Sequence, residues 1–140
     1  MLYVGDSLYE YEPIIFPNEG SIITWFSSMN YLITFVEEKN ADLPTSTKNS
    51  SAPTEVLINS GHRTALQPAL EVLVGARAFM EDVVAGRENA KTRGWERGEE
   101  IVTYEQVGDR FSLRCPERLV QEARNRNKGK ADRAVISHEL

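Results

Sequence analysis

The sequence predicts an α+β fold in which two amphipathic helices pack on a mostly antiparallel sheet, followed by a short C-terminal helix. Apolar residues recur at spacings of three and four within residues 21–40 and within residues 67–86, and this period predicts the two helices. The sheet is predicted by residues 101–115, which alternate in side-chain character around a Gly-Asp turn. A chain of 140 residues suits one domain with its own core.

The N-terminus predicts a first β-hairpin within residues 3–12, around the Gly-Asp pair at residues 5–6. Tyr9 and Tyr11 are then expected on one face of the return strand, with the two neighbouring glutamates on the other. If this strand is an edge, the tyrosines and acids face a partner, since tyrosine is enriched at interfaces. The alternative places the tyrosines in the core and the glutamates in water.

The first helix is predicted over residues 21–40, with Asn18 or Ser21 at its start and Asn40 at its end. Residues 31–36 alone have the composition of a strand, but the longer helical period outweighs that alternative. The predicted apolar stripe consists of Ile22, Trp25, Phe26, Met29, Leu32, Ile33 and Val36.

Between the helices, residues 43–54 are rich in Pro, Ser, Thr and Asn and predict a long polar loop. Residues 54–59 predict a short buried strand that leads into the second helix. That helix has Pro68 in its first turn and Gly86 after its end, where each residue type is favoured. A mid-helix Gly75 costs about 1 kcal/mol relative to alanine, so we expect another backbone to approach closely there.

The C-terminal third is predicted to contain a connection, a hairpin and a last helix. Residues 86–100 are polar and predict a solvated connection from the second helix to the hairpin. A short helix follows, with Pro116 at its first position. We predict one domain over residues 1–127 and a frayed basic tail over residues 128–140.

Few residues are arranged for catalysis or metal binding. His62 and His138 lie in unrelated segments, and with one cysteine they do not form a zinc-ligand pattern. Cys115 precedes a helix, whose dipole could lower the thiol pKa, but a cysteine buried as a small apolar residue is the favoured interpretation. Neither a Gly-x-Ser-x-Gly motif nor a phosphate-binding glycine loop is present. The sequence therefore predicts no enzyme, no cofactor and no metal site.

Candidate partner-binding residues lie in two segments. Arg93, Trp95 and Arg97 alternate in the polar connection, and surfaces of Arg and aromatic residues serve both nucleic-acid stacking and protein interfaces. The favoured alternative is a solvated connection whose indole packs on the core. Tyr9 and Tyr11 complete the candidate set.

Candidate nucleic-acid-binding residues are Arg124, Arg126, Lys128 and Lys130 near the C-terminus. Acidic residues interrupt this basic run, no aromatic residue is interleaved with it, and Gly129 is expected to break a continuous helix. A solvated helix end, or docking on an acidic face of a dimer mate or another protein, also accounts for these bases.

Charge and composition favour a protein partner. The formal net charge is -5, and residues 1–60 hold eight acids and two bases, whereas residues 109–140 hold five acids and eight bases. No apolar run approaches the roughly 18 residues that cross a bilayer. The first residues lack a secretory signal, and one cysteine fits a reducing compartment.

We therefore predict a small acidic cytoplasmic protein, not an enzyme, that acts as an adaptor, chaperone or inhibitor by binding another protein. A homodimer is compatible with the sequence, and a membrane partner is not expected. The alternative function is that of an accessory factor that binds nucleic acid through the C-terminal bases. The rest of the chain is acidic and repels phosphates, which makes this alternative less favoured.

Overall fold

A computed structural model of the chain describes residues 1–45 and 51–138, with side chains described up to residue 135. The described residues form three helices and two mixed sheets, so the predicted α+β class is confirmed. In chain order the elements are β1 (Leu2–Tyr3), β2 (Pro13–Ile15), α1 (Ile22–Asp42), β3 (Leu57–Asn59), β4 (Gln67–Pro68), α2 (Ala69–Val84), β5 (Ala90–Glu96), β6 (Glu99–Glu105), β7 (Ser112–Pro116) and α3 (Glu117–His138).

The strands form a four-stranded sheet of order β2-β7-β6-β5 and a three-stranded sheet of order β1-β3-β4. Pairing is antiparallel between β5 and β6, β6 and β7, and β3 and β4, but β2 runs parallel to β7 and β1 parallel to β3. The expected mostly antiparallel sheet is thus replaced by two mixed sheets. In both cases the parallel strand comes from the N-terminal segment.

The core lies between the helices and one face of the four-stranded sheet. On that inner face, Val102 and Tyr104 of β6 are buried beside Leu113 and Cys115 of β7. The stripes of α1 and α2, together with Leu119, pack into the same apolar cluster. Alternate side chains of β6 and β7 point to the opposite, outer face and stay partly exposed, as the two-residue period of a strand requires.

The predicted N-terminal hairpin is wrong. β1 ends at Tyr3 and the chain then turns through residues 5–12 without forming a return strand. The segment is held by contacts with distant residues instead. The Trp25 indole N–H donates to the Ser7 carbonyl at 3.0 Å, and the Tyr11 amide donates to a carbonyl of the loop before β7 at 2.7 Å. Local turn chemistry was outweighed by tertiary packing.

The first helix is confirmed as one continuous element, which makes the strand alternative for residues 31–36 wrong. Ser21 is its N-cap, and the Ser21 hydroxyl accepts from the Thr24 amide at 3.1 Å. In the predicted loop after it, residues 43–45 and 51–54 contain no helix or strand, and residues 46–50 lie outside the described part of the chain.

The second helix is also confirmed, with Pro68 immediately before it and Gly86 just after its C-cap at a φ of 79°. The close neighbour of Gly75 is not the one that was predicted. A Cβ built on Gly75 would lie 3.0 Å from the Phe111 ring, so an aromatic side chain, not another backbone, approaches the helix there. The ring of Phe111 also stacks on Phe79, at 6.4 Å between centroids.

The hairpin between β6 and β7 is confirmed, whereas the solvated connection before it is wrong. Residues 90–96 of the predicted connection form β5, which pairs with β6 through a tight turn at Arg97 and Gly98. Both turn residues have positive φ, of 50° and 81°, as a type I′ hairpin turn requires. Every residue of β5 after Ala90 is exposed, so the apolar alternation that usually marks a strand is missing.

The prediction of a short C-terminal helix is wrong, because α3 continues to His138 and passes through Gly129. Residues 125–135 of this helix are exposed and mostly polar, and a helix without an apolar stripe gives no periodic signal. The boundary between a domain and a tail at residues 127–128 stays a prediction. Among the described residues, none of the helices is long and apolar enough to cross a bilayer.

Candidate functional site

Two loops meet beside the N-terminal strands and form a concave surface that includes Tyr9. They are the N-terminal loop (residues 5–12) and the loop between β3 and β4 (residues 60–66). The Gly61 amide donates to the first carbonyl of the N-terminal loop at 2.9 Å. The Glu10 amide donates to the buried Thr64 hydroxyl, also at 2.9 Å. These bonds fix the two loops against each other.

Between the loops lies a cleft of about 350 Å³, named here the Tyr9 cleft. The Tyr9 ring contacts the His62 imidazole with 4.9 Å between the ring centroids. Burial, a hydrogen bond with Asp6 and the charge of Asp6 together raise the pKa of Tyr9 to about 12, so its hydroxyl stays protonated. The cleft is lined by Asp6, Tyr9, Glu12, Pro13, Ile15 and His62.

The Tyr9 cleft is acidic. Among the described residues, no Lys or Arg forms an ion pair with Asp6, and Glu12 pairs only with the exposed Arg63, at 3.4 Å. Gly61 is needed for this arrangement, because a Cβ at that position would lie 2.3 Å from an Asp6 carboxylate oxygen. A pair between exposed side chains is weak, so the negative charge of the cleft is largely uncompensated.

Residues 9–12 do not keep the predicted strand alternation, because Tyr9 is buried and Tyr11 is exposed. Glu10 is 6% exposed, and its carboxylate accepts from the Arg110 guanidinium at 2.8 Å. Tyr11 is 55% exposed and has a φ of 63°, a left-handed conformation that costs a non-glycine residue roughly 1–2 kcal/mol. The buried contacts of Glu10 hold the chain in this conformation, which turns the Tyr11 ring outward while Tyr9 turns inward.

Trp95 lies on an exposed strand, so the favoured alternative of an indole packed on the core is wrong. Its side chain is 76% exposed. Arg93 shares the inner face of β5 with Trp95 and pairs with Glu100 at 3.3 Å and with Glu117 at 3.7 Å. Arg97 lies beyond the strand in the β5–β6 turn. The structure therefore brings Arg93 and Trp95 together on one face of β5.

The four predicted nucleic-acid-binding residues do not form one surface. The Arg124 guanidinium donates to the last two carbonyls of α2, at 2.8 and 3.0 Å, and so closes the end of that helix. Arg126 and Lys130 border a groove against α1, whereas Lys128 lies with Arg124 on another side of α3. Positions two apart on a helix point in nearly opposite directions, which accounts for the divergence.

Cys115 is buried in the core at the end of β7. It is 1% exposed, and burial together with the charge of Glu117 raises the pKa of its thiol to about 12. A thiol of this kind is a poor nucleophile, since the thiolate is the reactive form. The structure thus supports the interpretation of Cys115 as a small apolar residue.

The Cys115 thiol is expected to resist modification in the folded protein. At pH 8, a pKa of about 12 leaves roughly one thiol in ten thousand ionised, and burial blocks the reagent as well. Ellman's reagent should therefore react slowly in buffer and rapidly in urea, where the thiol regains its ordinary pKa. A reaction of the native protein as fast as that of the unfolded chain would contradict this account. The single cysteine makes the readout unambiguous.

Sequence reasoning missed Asp6 and assigned His62 to no binding site. A Gly-Asp pair and a Ser-Gly-His turn are ordinary turn signals, and each is local. The two turns come together because β1 pairs in parallel with β3, so that the turn after each strand lies at the same end of the sheet. No pattern within one segment of the chain reveals that pairing.

In the part of the chain that the structure describes, no group of three or more His, Cys, Asp or Glu side chains is placed to hold a metal ion. Comparisons of the chain with protein-family models, with curated proteins and with solved structures give no match.

Proposed function

We propose that this chain is a small cytoplasmic protein-binding module, without enzymatic activity, that holds a basic segment of another protein in the Tyr9 cleft. It would act as an adaptor, chaperone or inhibitor. The observation that carries the proposal is a cleft whose carboxylates are only weakly compensated, together with the exposed ring of Tyr11, the chain neighbour of the cleft residue Glu12.

The cleft chemistry suits a lysine or arginine side chain. Asp6 and Glu12 supply carboxylate oxygens for an ammonium or guanidinium group, as in other charge-assisted hydrogen bonds. Pro13 and Ile15 supply apolar surface for the aliphatic stem of such a side chain. Ile15 is 58% exposed, so a partner would bury apolar surface there.

Tyr11 is the exposed chain neighbour of the cleft residue Glu12. An exposed aromatic residue in a strained backbone conformation is costly to the fold, and such outliers cluster at functional sites. Tyrosine gives large contact area at a small entropic cost, which suits an interface anchor. The buried Glu10–Arg110 pair fixes the orientation of the ring before any partner arrives.

The charge distribution favours a basic partner over an acidic one. Eight acids and two bases lie in residues 1–60, the segment that contributes most of the cleft. Such a field attracts a basic protein surface and accelerates its association, and it repels the phosphates of nucleic acid. The candidate residues Arg93, Trp95 and Arg97 belong to a separate surface.

The proposal is tested by affinity capture from a nuclease-treated lysate of the native host, quantified by mass spectrometry. Tyr11→Gly removes the ring and accepts the left-handed conformation, so the fold is kept. A lost aromatic anchor of about 2 kcal/mol corresponds to roughly 30-fold weaker binding, and we expect the captured partner to be depleted accordingly. Tyr31→Ala is the matched control, because Tyr31 is a 70% exposed tyrosine on α1. Equal capture by all three proteins would refute the proposal.

The nucleic-acid alternative rests on Arg126, Lys128 and Lys130, which are exposed on α3. We expect no binding of mixed DNA or RNA in a fluorescence-anisotropy titration at low salt, where electrostatic attraction is strongest. True phosphate contacts would make the affinity fall by roughly 0.9 log unit per log unit of salt for each contact with a duplex. Tight binding with such a slope, abolished when the three bases and Arg124 are replaced by glutamine, would favour the alternative instead.

A further inference from the structure

The edge of the four-stranded sheet at β5 has no partner among the described residues. β5 pairs with β6 on one side only and is the last strand of the sheet. It is a long edge strand of seven residues, and its side chains are exposed on both faces. Natural proteins usually shorten, cover or pair such edges, because free backbone groups invite another strand.

We infer that β5 pairs in antiparallel fashion with β5 of a second copy of this chain, about a twofold axis at Gly94. The four-stranded sheets of the two copies would then join into one sheet of eight strands. The inference concerns a different surface from the Tyr9 cleft and does not rest on the proposed function.

The regular part of the edge is symmetrical about Gly94. An irregularity in the β5–β6 register at Lys91 ends the regular pairing on one side, and the turn at Arg97 ends it on the other. The regular part of the edge is therefore residues 92–96, and Gly94 is its central residue. In a twofold pair the residue on the axis faces its own copy, and glycine has no side chain to repel itself.

The other registers bring like charges together, which destabilises cross-strand pairs. An axis at Arg93 or at Glu96 sets each of these charged residues opposite its own copy. An axis at position 92 sets Arg93 opposite Lys91, and an axis at position 95 sets Arg93 opposite Arg97. Only the axis at Gly94 leaves every residue of 92–96 free of such a repulsion. It sets Lys91 opposite Arg97, but these two residues lie beyond the regular pairing, at the irregularity and in the turn.

With the axis at Gly94, the cross-strand pairs are complementary. Arg93 lies opposite Trp95 of the second copy, and Trp95 lies opposite Arg93 of the second copy. Side chains directly opposite in an antiparallel pair have Cβ atoms about 4.5–5.5 Å apart, close enough for a guanidinium to lie over an indole. Arg93 is already oriented on this face by Glu100 and Glu117. On the outer face, Thr92 lies opposite Glu96.

The helices leave room for this pairing. Arg93 and Trp95 are exposed although they lie on the inner face, so the helical layer stops short of β5. The pairing covers both indoles, which are 76% exposed in the single chain. It thereby accounts for an exposed tryptophan that no contact within the described residues explains.

Sedimentation velocity of the full chain, over about two decades of concentration, tests the inference. We expect the parent protein to pass from monomer to dimer as its concentration rises. Trp95→Arg sets arginine opposite arginine and should raise the dimer dissociation constant at least about tenfold. The double variant Arg93→Trp with Trp95→Arg restores the complementary pairs and should restore the dimer. Tyr31→Ala, which alters an exposed aromatic residue on α1, should dimerise like the parent.

Two outcomes would overturn the inference. The first is a parent protein that stays monomeric over the whole range, which would leave the edge to a strand of a different protein or to solvent. The second is Trp95→Arg self-associating as well as the parent does. Circular dichroism will check that each variant is folded, and since the three altered side chains are exposed we expect all of the variants to fold.

Discussion

Truncation of Phe79 to alanine is expected to lower the free energy of unfolding by about 3–5 kcal/mol, the range observed for buried aromatic residues. Phe79 is fully buried on α2 and stacks on Phe111, which in turn approaches Gly75. The substitution removes this stacking and leaves a cavity between α2 and the loop before β7. Urea denaturation monitored by circular dichroism measures the change.

Glu81→Ala is the matched control, since Glu81 lies two residues further along α2 on the exposed face. Its pair with Arg77 is long, at 3.8 Å, and solvent-exposed. The expected cost is below about 0.5 kcal/mol. Equal costs for the two variants would mean that the apolar face of α2 has been assigned incorrectly.

Removal of the Arg110 side chain, by Arg110→Ala, is expected to cost about 2–3 kcal/mol. The carboxylate of Glu10 would be left 6% exposed without its cation, and uncompensated buried charge is strongly destabilising. We expect less than the full 3–5 kcal/mol of a buried pair, because the Arg110 side chain is itself 31% exposed. The same denaturation experiment measures the loss.

Arg87→Ala provides the comparison for this prediction. Its pair with Asp82 has a similar distance, 2.7 Å, but lies on the surface, with the Arg87 side chain 63% exposed. Pairs of this kind contribute up to about 1 kcal/mol. If Arg110→Ala cost no more than Arg87→Ala, the Glu10–Arg110 pair would not be the anchor that orients Tyr11.

The helices α1 and α2 were predictable because their signals are local. A stripe of apolar residues on α1, a proline and a glycine at the ends of α2, and a hydroxyl cap at Ser21 each act within a few residues. The β6–β7 hairpin was predictable for the same reason, through alternation and a Gly-Asp turn. In each case the sequence pattern and the final packing agree.

The remaining strands depend on contacts between distant parts of the chain. β5 has no apolar alternation, because it is exposed on both faces, and its pairing with β6 alone makes it a strand. β1 and β2 are short and parallel to strands far along the chain, β3 and β7. Parallel pairing requires long connections, so no turn signal marks it.

The candidate site was predicted only in part. Tyr9 and Tyr11 were predicted as partner-binding candidates from their alternation with two glutamates, but the left-handed backbone at Tyr11 breaks that alternation and leaves Tyr9 buried and Tyr11 exposed. The ion-pair partner of the buried Glu10, Arg110, is a hundred residues further along the chain. Trp95 stays a predicted partner-binding residue, and its exposure, which the favoured alternative of a core position did not predict, follows from the edge position of β5.

The central claim, that the Tyr9 cleft surface receives another protein, is tested most directly by site-specific photo-crosslinking in the native host. Benzoylphenylalanine at position 11 replaces an exposed tyrosine by a similar ring, and the same residue at position 31 serves as the control. We predict that position 11 yields a discrete protein adduct, that the Asp6→Asn, Glu12→Gln variant of the cleft loses it, and that position 31 gives none. The same adducts from both positions, or an adduct at position 11 that nuclease removes, would contradict the claim.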